Sequence, residues 1–393
     1  MKYVGMLVFL ALVLINCTHQ EPGSLYKANK SYNPDPVIDS IVPKTAIAGV
    51  SDITIYGKNF SEDNKKNCVY FKSTLIEPIS STPTELYVHV PDVKGDSVLV
   101  RVSTIGALNF SNSVYYRIDP AFIEYGNFGK NDNIKRIACD KNEVVYVLNG
   151  KSLVRVNTDQ VQDTLCTISA SVVSDMKIGG DYIYYVRKNN YLYKVSLNSG
   201  EEEKFVKAPI KIYSIAFGED NIIYLGGRKS ALVSMDLDTK EFVELYDYSD
   251  FYFFAMTVYE GYLYLVGLDY SSREYKIIKN KIIDKTTLGE SELVLNWTQL
   301  VGNTDVTITD ILFDGEGNLL ISTDSEEAGM FVLSKDGIVN PLYGGLIPSA
   351  IIDMAPGNDK FLYGIKKTGA DEEQRVLRII LPVGNAPIYG RYQ

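Results

Sequence analysis

Asp175-Met176-Lys177-Ile178-Gly179 is followed by Tyr182-Ile183-Tyr184-Tyr185-Val186: a short apolar strand, a tight turn and an aromatic-rich second strand. The same order recurs along the chain. Arg136-Ile137-Ala138-Cys139-Asp140 precedes Val144-Val145-Tyr146-Val147, and Ser214-Ile215-Ala216-Phe217-Gly218 precedes Ile222-Ile223-Tyr224-Leu225. Ala255-Met256-Thr257-Val258-Tyr259 leads to Tyr262-Leu263-Tyr264-Leu265, and Asp310-Ile311-Leu312-Phe313-Asp314 to Asn318-Leu319-Leu320-Ile321. Asp353-Met354-Ala355-Pro356-Gly357 and Lys360-Phe361-Leu362-Tyr363 form the last copy. The first residues of the six copies are spaced by 39, 39, 41, 55 and 43 residues.

A period near 40 filled by four short strands predicts a β-propeller, here of six blades. Third strands follow at 192–196, 232–236 and 376–380, and fourth strands at 204–206 and 242–245. The sixth copy ends after its third strand. Phe122-Ile123-Glu124-Tyr125, ahead of the first copy, is expected to supply the missing strand, closing the ring and removing an open sheet edge. The alternative is an open solenoid of sheets. Phe313-Asp314-Gly315-Glu316-Gly317-Asn318-Leu319 resembles the strand–turn–strand of NHL-type propeller repeats. That resemblance implies a propeller over 119–393, a scaffold that carries binding, interaction and hydrolytic functions alike. The fourth copy is longest and holds Trp297 near its end, where an elongated hairpin or a functional loop is expected.

Residues 34–118 read as short alternating strands separated by turn residues, the pattern of an all-β sandwich. The strands are expected at 37–41, 52–56, 68–71, 86–90, 97–103 and 114–117. Pro36-Val37-Ile38-Asp39-Ser40-Ile41-Val42-Pro43, then Gly49, then Ile53-Thr54-Ile55-Tyr56-Gly57-Lys58-Asn59-Phe60 set the order. Val69-Tyr70-Phe71, Thr84-Glu85-Leu86-Tyr87-Val88-His89-Val90-Pro91 and Val98-Leu99-Val100-Arg101-Val102 continue it. The segment resembles the IPT/TIG family of Ig-like domains, which implies a spacer or a partner-binding module. Gly57 is expected to turn the chain at positive φ, and Phe60 to plug the end of the sandwich. His89 is expected on the outer face of a strand, without ligand partners. The fold class is thus all-β, an Ig-like β-sandwich followed by a six-bladed β-propeller.

Ahead of both modules, Lys2 precedes an apolar stretch from Val4 to Ile15, too short to span a bilayer comfortably. It reads as a secretory signal over 1–16. Leu14-Ile15-Asn16-Cys17 resembles the lipobox of bacterial lipoproteins, although Asn16 stands where Gly, Ala or Ser is usual. The resemblance implies lipidation at Cys17; an ordinary cleaved signal is the alternative. Residues 17–33 are polar and aperiodic, a flexible tether. Thr18 after the Cys favours the outer membrane, with the cell surface preferred over the periplasmic face.

Composition narrows function further. With 39 basic and 49 acidic side chains the net charge is −10, and no basic run is present, which argues against nucleic acid. Cys68, Cys139 and Cys166 remain after Cys17; the strand assignment separates Cys139 from Cys166 by three strand spacings, so free, buried thiols are expected. Neither His lies in the propeller, and no phosphate loop, Cys-x-x-Cys pair or nucleophile elbow is present. The chain is read as leaning away from catalysis, with no cofactor expected; carboxylate-dependent hydrolysis stays open.

Two candidate sites follow from the repeat alignment. The aligned first positions, Arg136, Asp175, Ser214, Ala255, Asp310 and Asp353, are expected to ring the central channel, where they bind calcium or sugar hydroxyls. The alternative is that the Asp side chains cap N–H groups between blades. The loops after second strands, with the links between blades, supply Arg187, Arg228, Asp250, Tyr252, Asp269, Tyr270 and Arg273, with Tyr248, Phe251 and Phe254 nearby and Trp297 added if its hairpin projects. There the choice is between sugar stacking and packing between blades. The expected function is a non-catalytic surface lipoprotein that captures glycan beside an outer-membrane transporter, similar in architecture to accessory lipoproteins of starch-utilisation-type systems. A scaffold for an envelope protein and a carboxylate-dependent lyase or hydrolase are the alternatives.

Overall fold

Apolar runs without alternation mark strands covered on both faces. In the computed structural model, which describes residues 32–302, 305–347, 349–368 and 373–391, this explains the inner strands of the repeats. Ser214–Phe217 and Ile222–Gly226 are buried at every position, whereas the outer strand Glu202–Lys207 is nowhere buried. The signal, Cys17 and most of the tether lie outside the described residues. Among the described residues no helix is long and apolar enough to cross a membrane.

The Ig-like module consists of two sheets. One pairs Val37–Val42, Asp52–Lys58, Glu85–His89 and Ser80–Ser81; the other runs Thr45–Ile47, Val114–Asp119, Gly95–Thr104, Asn67–Phe71 and Thr74–Ile76. Ile53, Ile55, Phe71, Leu86, Val88 and Val100 fill the space between inward faces, and Phe60 is buried with them. Gly57 does not turn the chain: it lies within the strand Asp52–Lys58, and positive φ falls on Asn59 instead, at 64°. Glycine is required at 57 because a Cβ there would sit 2.0 Å from the Val37 carbonyl oxygen and 2.5 Å from the Phe60 ring. His89 is exposed and its Nδ1 lies 2.8 Å from Asp52 Oδ1, so it has a carboxylate partner that the sequence reading missed.

Six four-stranded sheets follow, each antiparallel. Their inner strands are Ile134–Cys139, Asp175–Gly179, Ser214–Phe217, Phe251–Tyr259, Ile308–Phe313 and Ala350–Pro356. Each inner strand packs against the next, and the sixth packs against the first, so the ring is closed. The outer strand of the sixth sheet is Phe122–Glu124, with Phe122 opposite Ile379, Ile123 opposite Arg378 and Glu124 opposite Leu377. A sheet this thin has no interior of its own, so the cores lie between sheets. Leu312, Leu320, Met354 and Leu362 share one such core from the fifth and sixth sheets; Tyr125, Ile137, Val147, Tyr363 and Ile365 share another across the seam between sixth and first. The Tyr125 hydroxyl donates to the Asn157 carbonyl at 2.7 Å, fixing the closing segment to the first sheet. The fourth repeat is long because its last two strands, Glu274–Asp284 and Thr287–Asn296, form an extended hairpin. Cys68, Cys139 and Cys166 are free, but only Cys139 is buried; the other two are half-buried.

Buried carboxylates join one inner strand to the next. Asp175 Oδ2 accepts the Ile215 N–H and the Ser214 hydroxyl, both at 2.8 Å. Asp310 Oδ2 accepts the Met354 N–H at 3.3 Å, and Asp353 Oδ2 accepts the Ile137 N–H at 2.8 Å across the seam. Lys177 spans the channel from the second sheet to Asp310 of the fifth, with Nζ 3.4 Å from Asp310 Oδ2 and 3.8 Å from Asp175 Oδ1. Burial opposes the Lys177 charge, but Asp310 and Asp175 outweigh it and hold the ammonium protonated above its ordinary range. Burial also raises both Asp310 and Asp353, the latter to about 7.

Three outcomes follow from this construction. Ile123→Pro removes a ladder donor from the closing strand and should lower stability by about 1–3 kcal/mol, read as a fall in thermal midpoint. A midpoint equal to the parent's would contradict closure by this segment. Asp175→Ala strands the Ile215 N–H and the Ser214 hydroxyl and should cost about 3 kcal/mol in denaturant unfolding, with Asp175→Asn milder. Asp353 titrates higher in the folded chain than its ordinary 3.8, so the folded state binds more protons between about pH 4 and 7. Its contribution to stability therefore falls as pH rises through that window. The stability advantage of the parent over Asp353→Asn should shrink from pH 5 to pH 8; a constant difference would refute the assignment.

Candidate functional site

The central channel is narrow. Its interior holds only about 50 Å³, lined by Met176, Ala216, Met256, Leu312 and Ala355 among others, which is room for a few waters. Residues 382–391 cross the far end. The Ala386 N–H donates to the Phe313 carbonyl and the Gly180 N–H to the Gly390 carbonyl, while Ile388, Tyr389 and Arg391 line the cavity. Arg391 is buried; Nη1 donates to the Gly357 carbonyl at 2.6 Å and Nη2 to the Asp140 carbonyl at 2.7 Å, tying the sixth repeat to the first. Residues 382–391 have neither repeat nor periodicity, so the repeat pattern assigned them no role.

At the open mouth the inner strands carry bulges. Register shifts fall between Ile134 and Arg136, Phe253 and Ala255, Ile308 and Asp310, and Ile351 and Met354. A bulge re-aims one side chain out of the alternation. Phe254, Thr309 and Ile352, which sit in three of these shifts, line a recess there of about 170 Å³ together with Arg136, Ser174 and Tyr213; the inner strands after Ser174 and Tyr213 carry no such shift. That volume is below the usual range for an enclosing small-molecule pocket, so the recess suits one ring of a larger ligand resting on an open ledge.

The ledge is aromatic. Tyr213 and Tyr252 meet edge to face with centroids 5.0 Å apart, Tyr252 and Phe254 lie 4.5 Å apart, and Phe254 and Tyr275 5.7 Å. All four are half-buried, and Tyr213, Tyr252 and Phe254 line the recess. Phe251 and Phe253 alternate inward and are buried, which anchors Tyr252 between them. Burial pushes the Tyr252 and Tyr275 hydroxyls up, so both stay neutral donors near neutral pH. The loop after the second strand of the third sheet is pinned alongside: the Lys229 N–H donates to the Phe251 carbonyl and the Phe253 N–H to the Gly227 carbonyl. This holds the Arg228 guanidinium 5.4 Å from the Tyr252 centroid and 5.5 Å from that of Tyr270, with Lys229 Nζ 4.6 Å from Tyr270. Lys188 Nζ lies 5.7 Å from the Tyr213 centroid. Arg136 forms the floor, donating from Nε and Nη2 to the Ser174 carbonyl at 3.0 and 2.6 Å.

The sequence-expected residues separate into groups. Arg228, Tyr252 and Tyr270 come together at the ledge, with Asp250 adjacent through its carbonyl, which accepts the Tyr270 N–H. Asp269 is committed to Lys276 at 2.7 Å and to the Ser271 N–H, and Arg273 is exposed in the same turn at a φ of 58°. Arg187 lies over Tyr193 at 4.3 Å, outside the recess lining. Trp297 does not project: it is fully buried at the start of the five-residue helix Trp297–Val301, packs on Phe331 and donates to the Val306 carbonyl. Tyr248 and Phe251 are likewise interior. The channel ring of Asp175, Ser214, Asp310 and Asp353 is buried one residue deeper than the mouth, and its acceptors face neighbouring N–H groups. Among the described residues no group of three or more His, Cys, Asp or Glu is placed to hold a metal ion. Tyr213, Tyr275, Lys188 and Lys229 were missed; the available signal for Tyr213 was its place just before an aligned residue, and for Lys188 and Lys229 their place beside Arg187 and Arg228.

Comparison with known proteins supports both modules as folds. The IPT/TIG domain family matches residues 36–118. No curated protein sequence matches the chain. An auxiliary nutrient binding protein from Bacteroides thetaiotaomicron is similar over 88% of this chain and 98% of that one, with 12% identity and a TM-score of 0.52. A proposed phosphatase from the same species is similar over 87% and 97%, with 11% identity and a TM-score of 0.54. An auxiliary nutrient binding protein from Bacteroides ovatus is similar over 89% and 98%, with 14% identity and a TM-score of 0.49. At these identities the likeness is one of fold: a nearly all-β chain pairing an Ig-like domain with a ring of sheets.

Proposed function

We propose that this chain is a non-catalytic binding protein of the bacterial envelope that captures a saccharide on the Tyr213–Tyr252–Phe254–Tyr275 ledge. The carrying observation is the ledge itself: a run of aromatic rings in contact, three of them lining a shallow recess, with neutral hydroxyl donors among them. Pyranose rings present C–H faces that stack on such rings while their hydroxyls reach the surrounding donors and acceptors. A ledge rather than an enclosing pocket admits the interior of a polymer. The channel carboxylates face main-chain N–H groups and Lys177, which supports binding over carboxylate hydrolysis. The nutrient-binding role of a protein of similar fold supports the same direction.

In this reading the organisation is a signal over 1–16, lipidation at Cys17, a tether over 17–33, an Ig-like spacer over 34–118 and the propeller over 119–393. The lipid would hold the protein at the outer membrane, on the cell surface, and the tether and spacer would raise the local concentration of glycan beside a transporter of the starch-utilisation type. Affinity electrophoresis of the full chain against a polysaccharide panel tests the capture role. Retention by at least one polysaccharide is expected, and Tyr252→Ala should weaken it about tenfold, the equivalent of 1.4 kcal/mol. Retention of none, or equal retention by the variant, would overturn the reading.

A further inference from the structure

The chain carries a net charge of −10, yet the ledge is bordered by cations. Lys188, Arg228 and Lys229 are exposed, and among the described residues no carboxylate lies within ion-pair distance of any of them. Each is instead held against an aromatic face of the ledge or its rim, at 4.6–5.7 Å from a ring centroid. Of the carboxylates nearby, Asp269 is paired with Lys276, Asp324 accepts the Thr307 N–H at 2.6 Å and Asp250 accepts the Ser271 hydroxyl at 3.3 Å. A guanidinium stacked on a ring keeps its edge of N–H donors turned outward, and that fork matches carboxylate or sulfate oxygens. A neutral polymer lying here would strip water from three cations and return no opposite charge.

Resting on the saccharide reading above, we infer that the captured glycan is anionic, with carboxylate or sulfate groups read by Lys188, Arg228 and Lys229. The aromatic ledge supplies stacking to any pyranose chain, and the cations select the charged ones. Specificity then comes mostly from what a neutral chain leaves unpaired.

The experiment uses the full chain in detergent and two matched pairs of probes: polygalacturonate against its carboxyl-reduced form, and dextran sulfate against dextran. Binding of a charged member at least tenfold tighter than its neutral partner is expected, and which pair responds tells carboxylate from sulfate. The triple variant Lys188→Gln, Arg228→Gln, Lys229→Gln should lose that preference, and raising salt from 50 to 500 mM should weaken the parent's binding about tenfold. Since all three side chains are exposed, the variant is expected to keep the parent's thermal midpoint. Equal binding within both pairs overturns the inference and leaves saccharide capture standing. A triple variant that retains the preference also overturns it, placing the charge recognition elsewhere. Binding of no member of either pair overturns the inference, while saccharide capture stands or falls with the polysaccharide panel.

Discussion

Each sheet of the propeller has two apolar faces and no interior, so it is stable only when a neighbour covers it on both sides. Six sheets in a row would leave two faces bare and one edge unpaired. The strand Phe122–Glu124 resolves both problems by joining the sixth sheet from the other end of the domain. Tyr125 then enters the core shared by first and sixth sheets, and Asp353 bonds across the same seam to the Ile137 N–H. The seam is built from the same materials as the other junctions, with Arg391 added on the far side of the ring. Everything positioned at the mouth depends on that closure, because the ledge draws side chains from several sheets.

The repeat pattern made the fold legible. Inner strands buried on both faces read as unbroken apolar runs, and their near-constant spacing showed how many sheets to expect. The closing strand was legible for a negative reason: the sixth copy lacked a fourth strand and one apolar segment stood unassigned. The site was legible only in part. Aligning repeats on Asp175, Ser214, Ala255, Asp310 and Asp353 chose a position one residue deeper than the recess, whereas the aligned Arg136 does line it. Bulges at Phe254 and Thr309 change which side chain reaches the mouth, and no periodicity announces a bulge. Trp297 misled because a lone tryptophan near a long hairpin reads equally well as a projecting contact or as a plug; here it caps an internal core. At Gly57 the residue type was right and the reason was wrong, since close approach of Val37 and Phe60, rather than backbone handedness, excludes a side chain.

A closed ring with residues 382–391 crossing one end is well suited to recognition. The channel carboxylates and Lys177 fix neighbouring and opposite sheets to one another, so the floor beneath the ledge does not depend on loop order. Arg228 and Lys229 come from a loop, but main-chain bonds to Phe251 and Phe253 give that loop the register of a strand. Aromatic area, neutral donors and unmatched positive charge therefore share one small surface on an otherwise acidic protein. The physical roles divide: the ring supplies geometry, the bulges aim side chains, and the cations set the sign of what is welcome.

Closure by the early strand is the claim on which these roles rest, and a covalent test reaches it directly. In the antiparallel register Ile123 faces Arg378, a separation of about 5.5 Å between Cα atoms that a disulfide can span. A chain carrying Ile123→Cys and Arg378→Cys, oxidised and mapped by peptide mass, should show an intramolecular 123–378 bond and a raised thermal midpoint. Cysteines that stay reduced, or that link only between separate molecules, would contradict the closed ring.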